Sequence, residues 1–482
     1  AHPMHLGKRA RSSSMGNVMS AFGTAARASV LSGLRVATWN IAAINNNPFE
    51  YWMTHSDPRY AQVMNGMQTL IDEPGDADVP VSAVFTDGMF SELKAAMAAQ
   101  GWAGVEDTET MFLEEFKDRR IISGFLKDKD IGSKRLASMP DRYTNTIALP
   151  GGGALCRPTP INAFTEGDMG SVAAWWPLYV DFFFNNEYEL KGGAGKVCSL
   201  LQPIKRAKYP AVTELEERIS IPLSCLCIAI FDAILVHLLH SITPEWQDLR
   251  QSICAALGSR KQATTLEILA GAYAGCDVVF LQECSADFIA GVESNAALAG
   301  KFVIVAPPDL DTKRGQNSLM LVSKEAFDVA SVQNHTARIF AKMREQAGEG
   351  ASLPVMNGDI VAATVTLTEG ATLFLASFHG DTNGLATKPV VQAVNAVVDE
   401  VKAEGTDAKL VFGMDANTHT KGKPGKTLGL AEFAEDLAGL GLETCWGPEP
   451  DSTKLTTFHA RTYLQPQLNK AARRDEVQAK GD

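Results

Sequence analysis

The chain has 482 residues, which exceeds the usual size of a single compact core, although one large domain with insertions stays open. Its composition, 45% hydrophobic and 21% charged, is ordinary for a soluble globular protein. A net charge of −12 argues against a protein that coats nucleic acid with a strongly basic surface. It does not exclude an enzyme acting on a phosphate ester, because a metal ion can supply local positive charge.

The first 33 residues form a basic arm without any acidic residue, since the first carboxylate is that of Glu50. Its charges are Lys8, Arg9, Arg11 and Arg27, among many Ala and Ser residues. This composition is typical of an organelle transit peptide, and a flexible basic tail or docking arm is an equal alternative. We therefore expect an intracellular protein, with an organelle as a candidate location. The eight scattered cysteines suit a reducing compartment.

The first predicted strand is "LRVATWN", residues 34–40, which ends at Asn40. After it, residues 45–265 contain several helical patterns, together with short turn signals such as "LPGGGA" and "KGGAGK". The same region holds a basic stretch, made of Lys191, Lys196, Lys205, Arg206 and Lys208. A solvated loop is the favoured interpretation of this stretch, and a surface that receives an anionic substrate is the alternative.

The segment "ISIPLSCLCIAIFDAILVHLL", residues 219–239, is nearly long enough to span a bilayer. However, Asp232 lies near its middle, and a charged group at that depth in a membrane is unfavourable. We therefore predict a buried central helix in which Asp232 is paired or lines a site, and no membrane anchoring. Cys225 and Cys227 are predicted to be buried thiols.

Three later strands also end in polar residues. "CDVVFLQE" ends at Gln282 and Glu283, "ATLFLASFH" ends at His379, and "KLVFGMD" ends at Asp415, with Asn417 two residues on. In layered α/β proteins, ligands gather at the carboxyl ends of strands. Four such endings with complementary chemistry therefore predict one site.

The chemistry of these side chains suits metal-assisted hydrolysis of a phosphate ester. Glu283 and Asn40 supply oxygen ligands of the kind that Mg²⁺ accepts while it keeps several waters. Asp415 is placed to orient or deprotonate a water molecule. Asn417 and His379 can donate hydrogen bonds to phosphoryl oxygens.

Each residue also has a structural interpretation when it is taken alone. Asn40 can be a turn residue, His379 a strand-end histidine, and Glu283 a helix cap or an ion-pair partner of Lys301. Asp415 and Asn417 can form an Asx turn. Asp381 and Asn383, in "HGDTNG", are predicted to be turn residues rather than ligands.

The ordered motifs resemble the endonuclease/exonuclease/phosphatase superfamily, which has the DNase-I-like fold. The matching stretches are "ATWNI", "VVFLQE", "NSLMLVSK", "SFHGDTNG" and "GMDANTH". The resemblance implies a four-layer α/β sandwich, in which Asn40 helps to position the metal and Glu283 is its principal ligand. It also implies that His379 contacts the scissile phosphate, Asp415 serves the nucleophilic water and Asn417 serves the transition state.

The chain departs from this family in two places. About half of it separates Asn40 from Glu283, where the family usually has one helix, so 45–265 is predicted to be a mostly helical insertion or cap. The sandwich would then comprise 34–44 and 266–482. The family's final strand and its Asp-His pair have no counterpart after Asn417. His459, the only remaining late histidine, could replace that His only with an unusual local geometry, and its alternative role is hydrogen bonding within a loop. Three further residues are candidates for contact with the substrate: Arg461, Gln465 and Gln467. Their spacing in the sequence does not require this role.

We therefore expect a Mg²⁺-dependent phosphoesterase, with Mn²⁺ as the alternative cation, acting on a phosphodiester or a phosphomonoester. A nucleic acid is one of the phosphate esters that the sequence leaves open as the substrate. The alternative is a catalytically inactive, family-derived structural or interaction subunit of a larger assembly. A sheet edge without its last strand would then accept a protein partner.

Overall fold

The structure is a computed structural model, and it describes residues 33–42, 45–312, 315–348, 350–445, 447, 457–458, 461–468 and 479–480. The predicted basic arm, except Gly33, and His459 lie outside these residues. The chain forms two compact units. The first unit comprises the described residues within 1–43 and 262–455, and the second unit comprises those within 44–261 and 456–480.

The strands, in chain order, are β1 (Val36–Asn40), β2 (Thr146–Ala148), β3 (Ala154–Cys156), β4 (Tyr188–Leu190), β5 (Gly193–Gly195), β6 (Val278–Cys284), β7 (Phe302–Val305), β8 (Asn317–Ser323), β9 (Phe327–Asn334), β10 (Ile360–Leu367), β11 (Thr372–His379), β12 (Ala408–Asp415), β13 (Thr457–Phe458) and β14 (Ala479–Lys480).

The α-helices are α1 (Pro58–Asp72), α2 (Asp87–Ala99), α3 (Val105–Met111), α4 (Lys129–Lys134), α5 (Ser138–Thr144), α6 (Val172–Val180), α7 (Glu214–Arg218), α8 (Ser220–Ile242), α9 (Trp246–Leu257), α10 (Lys261–Gly271), α11 (Asp287–Ser294), α12 (Ala296–Lys301), α13 (Thr336–Ala347), α14 (Thr387–Ala403) and α15 (Leu430–Gly439). Short 3₁₀ segments lie at Gly75–Ala77, Val81–Ala83 and Val197–Leu200, and π-helical turns lie at Phe112–Phe116, Ile121–Leu126 and Asp181–Asn185.

The first unit contains two four-stranded sheets, with strand orders β1-β6-β8-β7 and β12-β11-β10-β9. Strands β1 and β6 are parallel, with Asn40 opposite Gln282. Strands β11 and β12 are also parallel, with His379 opposite Asp415. The remaining pairs in both sheets are antiparallel. Because each parallel pair ends at one edge, the polar strand endings of a pair are neighbours.

The two sheets pack face to face through alternate residues of their strands. Val278 and Phe280 of β6 lie in one apolar cluster with Leu373 and Leu375 of β11. The intervening residues, such as Val279, point to the opposite face of the sheet. Both faces of these strands are therefore buried, which explains why their sequences are continuous apolar runs rather than alternating patterns.

Helices cover the outer face of each sheet. Helices α13 and α14 pack on the β9–β12 sheet through residues such as Ile339 and Val394. Helices α10, α11 and α12 pack on the other sheet through Leu269, Phe288 and Leu298. The layer order is helix, sheet, sheet, helix. This order confirms the predicted four-layer α/β sandwich.

The second unit is mostly helical, as predicted for the insertion, and its strands form only two-stranded pairs among the residues described. Helix α8 has the length and apolar composition of a membrane span, and most of its residues are buried. Cys225 and Cys227 on α8 are fully buried, and burial raises the pKa of both thiols. The prediction of a buried helix with buried thiols is confirmed.

Asp232, in the middle of α8, is fully buried and paired, as predicted. Its Oδ2 accepts a 2.7 Å bond from Nε of Arg157, which is also fully buried. Its Oδ1 accepts a 2.7 Å bond from Thr159 Oγ1. A second carboxylate, that of Asp141, accepts from Nη2 of the same guanidinium at 2.7 Å.

Residues 461–468 belong to the second unit, although the sequence predicted them to lie in the sandwich, within 266–482. Thr462 N donates to Glu50 O, and the side chain of Asn47 donates to Leu464 O. Leu464 is fully buried in the helical core. Local sequence patterns do not reveal this assignment, because the contacts join segments more than 400 residues apart.

Candidate active site

The five residues predicted from the strand endings lie together in the first unit. Asn40 ends β1, Glu283 lies near the end of β6, and His379 and Asp415 end β11 and β12. Asn417 follows two residues after β12. The two sheets thus each contribute one parallel strand pair, and all four carboxyl ends face the same edge of the sandwich.

Asn40 links the two carboxylates of the cluster. Its Nδ2 donates to Glu283 Oε1 at 2.9 Å and to Asp415 Oδ2 at 2.8 Å. Its Oδ1 accepts a 2.8 Å bond from Ala42 N. In this arrangement Asn40 presents nitrogen, not oxygen, to the carboxylates, so its predicted role as a metal ligand would require rotation of the amide.

His379 lies beside the same two oxygen atoms. Its Nε2 is 3.5 Å from Glu283 Oε1 and 3.8 Å from Asp415 Oδ2. The side chains of His379, Glu283 and Asp415 are 10%, 18% and 12% exposed. Two carboxylates and an imidazole are therefore held close together where water screens their charges only partly.

Glu283 is held by a distorted backbone. Its φ is +58°, in the left-handed region that residues with a side chain seldom adopt. The pairing of β6 with β8 shifts register between Leu281 and Cys284, so Glu283 lies at a β-bulge. Bulges re-aim side chains, and strained backbone occurs often at functional sites. The bulge thus coincides with the residue whose carboxylate joins the cluster.

Asn417 is the second residue of the cluster in the left-handed region, with a φ of +50°. Its backbone N donates to Asp415 Oδ1 at 3.0 Å, which forms the Asx turn that the sequence suggested as an alternative. The turn uses the backbone N of Asn417 and not its side chain. Nδ2 of Asn417 is buried and has no hydrogen-bond partner among the described residues. Asn417 therefore combines a turn with an unsatisfied donor.

Gln282 is a supporting residue for which the sequence predicted no role. It is 1% exposed, and its Nε2 donates to Ser377 Oγ on β11 at 3.0 Å. Ser377 Oγ in turn donates to Leu281 O at 3.1 Å. These bonds connect the two sheets directly beneath Glu283 and His379. Buried Gln and Ser in otherwise apolar strands were the available signal, since buried polar groups require partners.

Two small residues allow the elements to approach closely. A Cβ at Gly413 in β12 would clash with the ring of Phe280 in the facing sheet. A Cβ at Gly384, whose φ is +72°, would stand 2.9 Å from the carbonyl oxygens of Ala416 and Asn417.

The predicted turn residue Asp381 accepts from Asn383 N and Ala386 N, so its carboxylate is used within its own loop.

The described residues contain no group of three or more His, Cys, Asp and Glu side chains arranged to hold a metal ion. The pair Glu283 and Asp415 nevertheless fits the way proteins bind Mg²⁺, which takes one or two carboxylates and keeps several waters. Both carboxylates already point an oxygen atom at one electropositive group, the Asn40 amide nitrogen. The donor set is therefore compatible with a hydrated divalent cation.

A family model described as "Domain of unknown function (DUF8234)" matches residues 78–251, which lie in the second unit and make up less than half of the chain. No curated protein matches the chain.

Several solved structures are similar to parts of the chain. An endonuclease/exonuclease/phosphatase family protein from Bacteroides thetaiotaomicron is 16% identical, over 34% of this chain and 55% of that one, with a TM-score of 0.26. The humanized TDP2 of D. rerio is 15% identical, over 39% and 65%, with a TM-score of 0.25. A mannosyl-6-phosphatase of B. thetaiotaomicron is 18% identical, over 34% and 58%, with a TM-score of 0.24.

The matched part spans less than two thirds of each of these three structures. TM-scores this low support no statement about the activity of the present chain. The chemistry of the site is instead inferred from the residues of the cluster and their contacts.

Proposed function

We propose that the chain is a metal-dependent phosphoric ester hydrolase whose site is the cluster of Asn40, Glu283, His379, Asp415 and Asn417. One observation carries the proposal: Asn40 Nδ2 binds the carboxylates of Glu283 and Asp415 at once, with His379 Nε2 within 4 Å of both. Two strained residues, Glu283 and Asn417, belong to this same cluster.

Each side chain has a role that its contacts support. Asp415 accepts the proton of the attacking water, because its carboxylate lies at the centre of the cluster. The imidazole of His379 and Nδ2 of Asn417 donate hydrogen bonds to phosphoryl oxygens as negative charge develops. Gln282 positions Glu283 and His379 through the bonds that join the two sheets.

Glu283 is the residue proposed to hold Mg²⁺ or Mn²⁺, assisted by Asn40. A divalent cation bound there would polarise a phosphoryl oxygen and offset the charge of the carboxylates. The ester class is left between a phosphodiester and a phosphomonoester, and nucleic acid is one candidate among the diesters. The resemblance of the five motifs to the endonuclease/exonuclease/phosphatase superfamily supports the same reaction class.

The test is hydrolysis of bis(p-nitrophenyl) phosphate and p-nitrophenyl phosphate by the purified chain, with Mg²⁺, with Mn²⁺ and with a chelator. We expect release of p-nitrophenol that requires one of the cations and is lost in Glu283→Gln. The matched control is Glu369→Gln, since Glu369 is an exposed residue of the same unit and lies in the loop between β10 and β11.

Cation-independent hydrolysis, or equal rates for Glu283→Gln and the wild type, would contradict the assignment of Glu283. Absence of hydrolysis under every condition would contradict the proposal as a whole. The inactive structural or interaction subunit would then be the better explanation of the chain.

A further inference from the structure

A polar cavity of about 410 Å³ lies entirely within the second unit. Three segments and Ile161 line it: the segments are residues 45–50, the region of α4 and α5 around 135–145, and residues 461–467. Its volume is within the range of small-molecule sites, which runs from roughly 300 to 1,000 Å³. The segment 461–467 therefore completes a concave site and does not merely cover a surface.

The charge lining this cavity is positive on balance. Arg135, Arg142 and Arg461 line it, together with the carboxylates of Glu50 and Asp141. Asp141 is bound from the interior by the buried guanidinium of Arg157 at 2.7 Å. Glu50 is 3.4 Å from Arg461. Across the part of the chain that the structure describes, Arg135 and Arg142 have no carboxylate at ion-pair distance.

The cavity also has unsatisfied hydrogen-bond donors in its wall. Nε of Arg135, Oγ of Ser138 and Nε of Arg461 are shielded from solvent and have no hydrogen-bond partner among the described residues. A buried donor without an acceptor costs about 1–3 kcal/mol. Three residues of the cavity wall thus each keep one donor that has no acceptor among the described residues.

Arg135 is placed at the cavity by the end of helix α4. It is the residue after α4, with a φ of +64°, and its guanidinium lies over the ring of Tyr209, 6.0 Å from the ring centre. The left-handed conformation ends the helix, because N of Leu136 donates to Ile131 O across its last turn. The end of α4 thus brings an arginine without a carboxylate partner among the described residues to the cavity.

We propose that this cavity binds a small phosphorylated molecule through Arg135, Arg142 and Ser138. Guanidinium groups pair with phosphate oxygens through parallel N–H bonds, and among the described residues no carboxylate competes for Arg135 or Arg142. Polar side chains of Asn46 and Gln467, also in the cavity wall, suit the hydroxyl groups of the remaining molecule. The proposal is independent of the hydrolase site, since every residue in it belongs to the second unit.

The experiment measures binding by calorimetry to the full chain carrying Glu283→Gln, in the presence of a chelator. This background removes cation-dependent binding at the proposed hydrolase site, so failure of one proposal is distinguishable from failure of the other. The probes are inorganic phosphate, glucose 6-phosphate and glucose, at one fixed ionic strength. Free phosphate and a phosphorylated organic molecule are thereby separated as ligands.

We expect glucose 6-phosphate to bind more tightly than inorganic phosphate and glucose not to bind. Arg135→Gln and Arg142→Gln should each weaken binding about 10- to 100-fold, the effect of losing a charge-assisted hydrogen bond. Arg142 is exposed, so its variant keeps the test valid if Arg135→Gln does not fold. The control Arg206→Gln, in the basic stretch outside this cavity, should bind as the parent chain does.

Three results would overturn the proposal. These are absence of binding by both phosphate-bearing probes, equal affinity of the Arg142→Gln variant and the parent, and equal binding of glucose and glucose 6-phosphate. Loss of affinity in Arg206→Gln without loss in Arg142→Gln would instead place anion binding in the basic stretch, and would also overturn it.

Discussion

Two clusters of buried charged groups, one in each unit, differ in how their charges are satisfied. In the second unit, the guanidinium of Arg157 donates to Asp232, Asp141 and Thr144, and Thr159 donates to Asp232. Arg157 and Asp232 are both fully buried. Each polar atom of this pair faces a partner, and the cluster joins α8 to α5 and to the segment after β3.

In the first unit, two carboxylates share one amide donor and an imidazole. Asn40 Nδ2 binds both Glu283 and Asp415, whereas Asn417 Nδ2 has no partner within the described part of the chain. The backbones of Glu283 and Asn417 are also strained. Charge that is fully paired maintains a fold, whereas two carboxylates gathered around one neutral amide, on strained backbone, indicate a site prepared for a ligand.

The largest expected effect concerns Asp415. Asp415→Asn should lower the rate of p-nitrophenyl ester hydrolysis by about 10²- to 10⁴-fold, since the general base is lost while the side chain keeps its shape. Urea unfolding should show little change in stability. Asp399→Asn, on an exposed position of α14, is the control and should keep full activity. A fall in the free energy of unfolding as large as the rise in the activation free energy would instead indicate that Asp415 mainly stabilises the fold.

Asp232 should show the opposite behaviour. Asp232→Asn should lower the free energy of unfolding by about 3–5 kcal/mol, because it leaves the buried Arg157 without its main counter-charge. The control is Asp107→Asn, whose partner Arg218 is 68% exposed, and an exposed pair contributes about 0–1 kcal/mol. Urea denaturation measures both variants. Equal losses of unfolding free energy in the two variants would mean that the buried cluster contributes no more to stability than a surface ion pair.

Some features behind these two predictions could be predicted from the sequence, and others could not. The strands that end at Asn40, His379 and Asp415 were predictable, because buried strands read as short apolar runs and their polar endings stand out. The stretch "NSLMLVSK", one of the motifs that carry the family resemblance, forms β8, antiparallel to β6. The edge at which the residues meet follows from the parallel pairing of these strands.

Other features depend on contacts that no local pattern encodes. The bulge at Glu283 arises in the pairing of β6 with β8, and the bond between Gln282 and Ser377 joins the two sheets, so neither could be read from one strand alone. The orientation of the Asn40 amide depends on Ala42 N and on residues far along the chain. The partner of Asp232 could not be named for the same reason, although its pairing was predicted.

A cation should stabilise the first unit through Glu283. A ligand at 100 times its dissociation constant raises the free energy of unfolding by about 2.7 kcal/mol. Mg²⁺ should therefore raise the melting temperature of the wild type and leave that of Glu283→Gln unchanged, whereas Glu369→Gln should respond as the wild type does. Calorimetric melting with and without a chelator gives this result independently of any activity. An equal response of Glu283→Gln would place the cation elsewhere.

The smallest effect isolates the strain at Glu283 from its charge. Glu283→Gly and Glu283→Ala both lack the carboxylate, but glycine adopts a φ of +58° without the steric penalty of a Cβ. The glycine variant should therefore be more stable than the alanine variant by about 1 kcal/mol. At Lys409, an exposed residue of β12 in extended conformation, the order should reverse, because glycine in a strand is destabilising. If the glycine variant were less stable than the alanine variant at both positions, the backbone of Glu283 would not be strained. The contrast between the two clusters would then rest on charge alone.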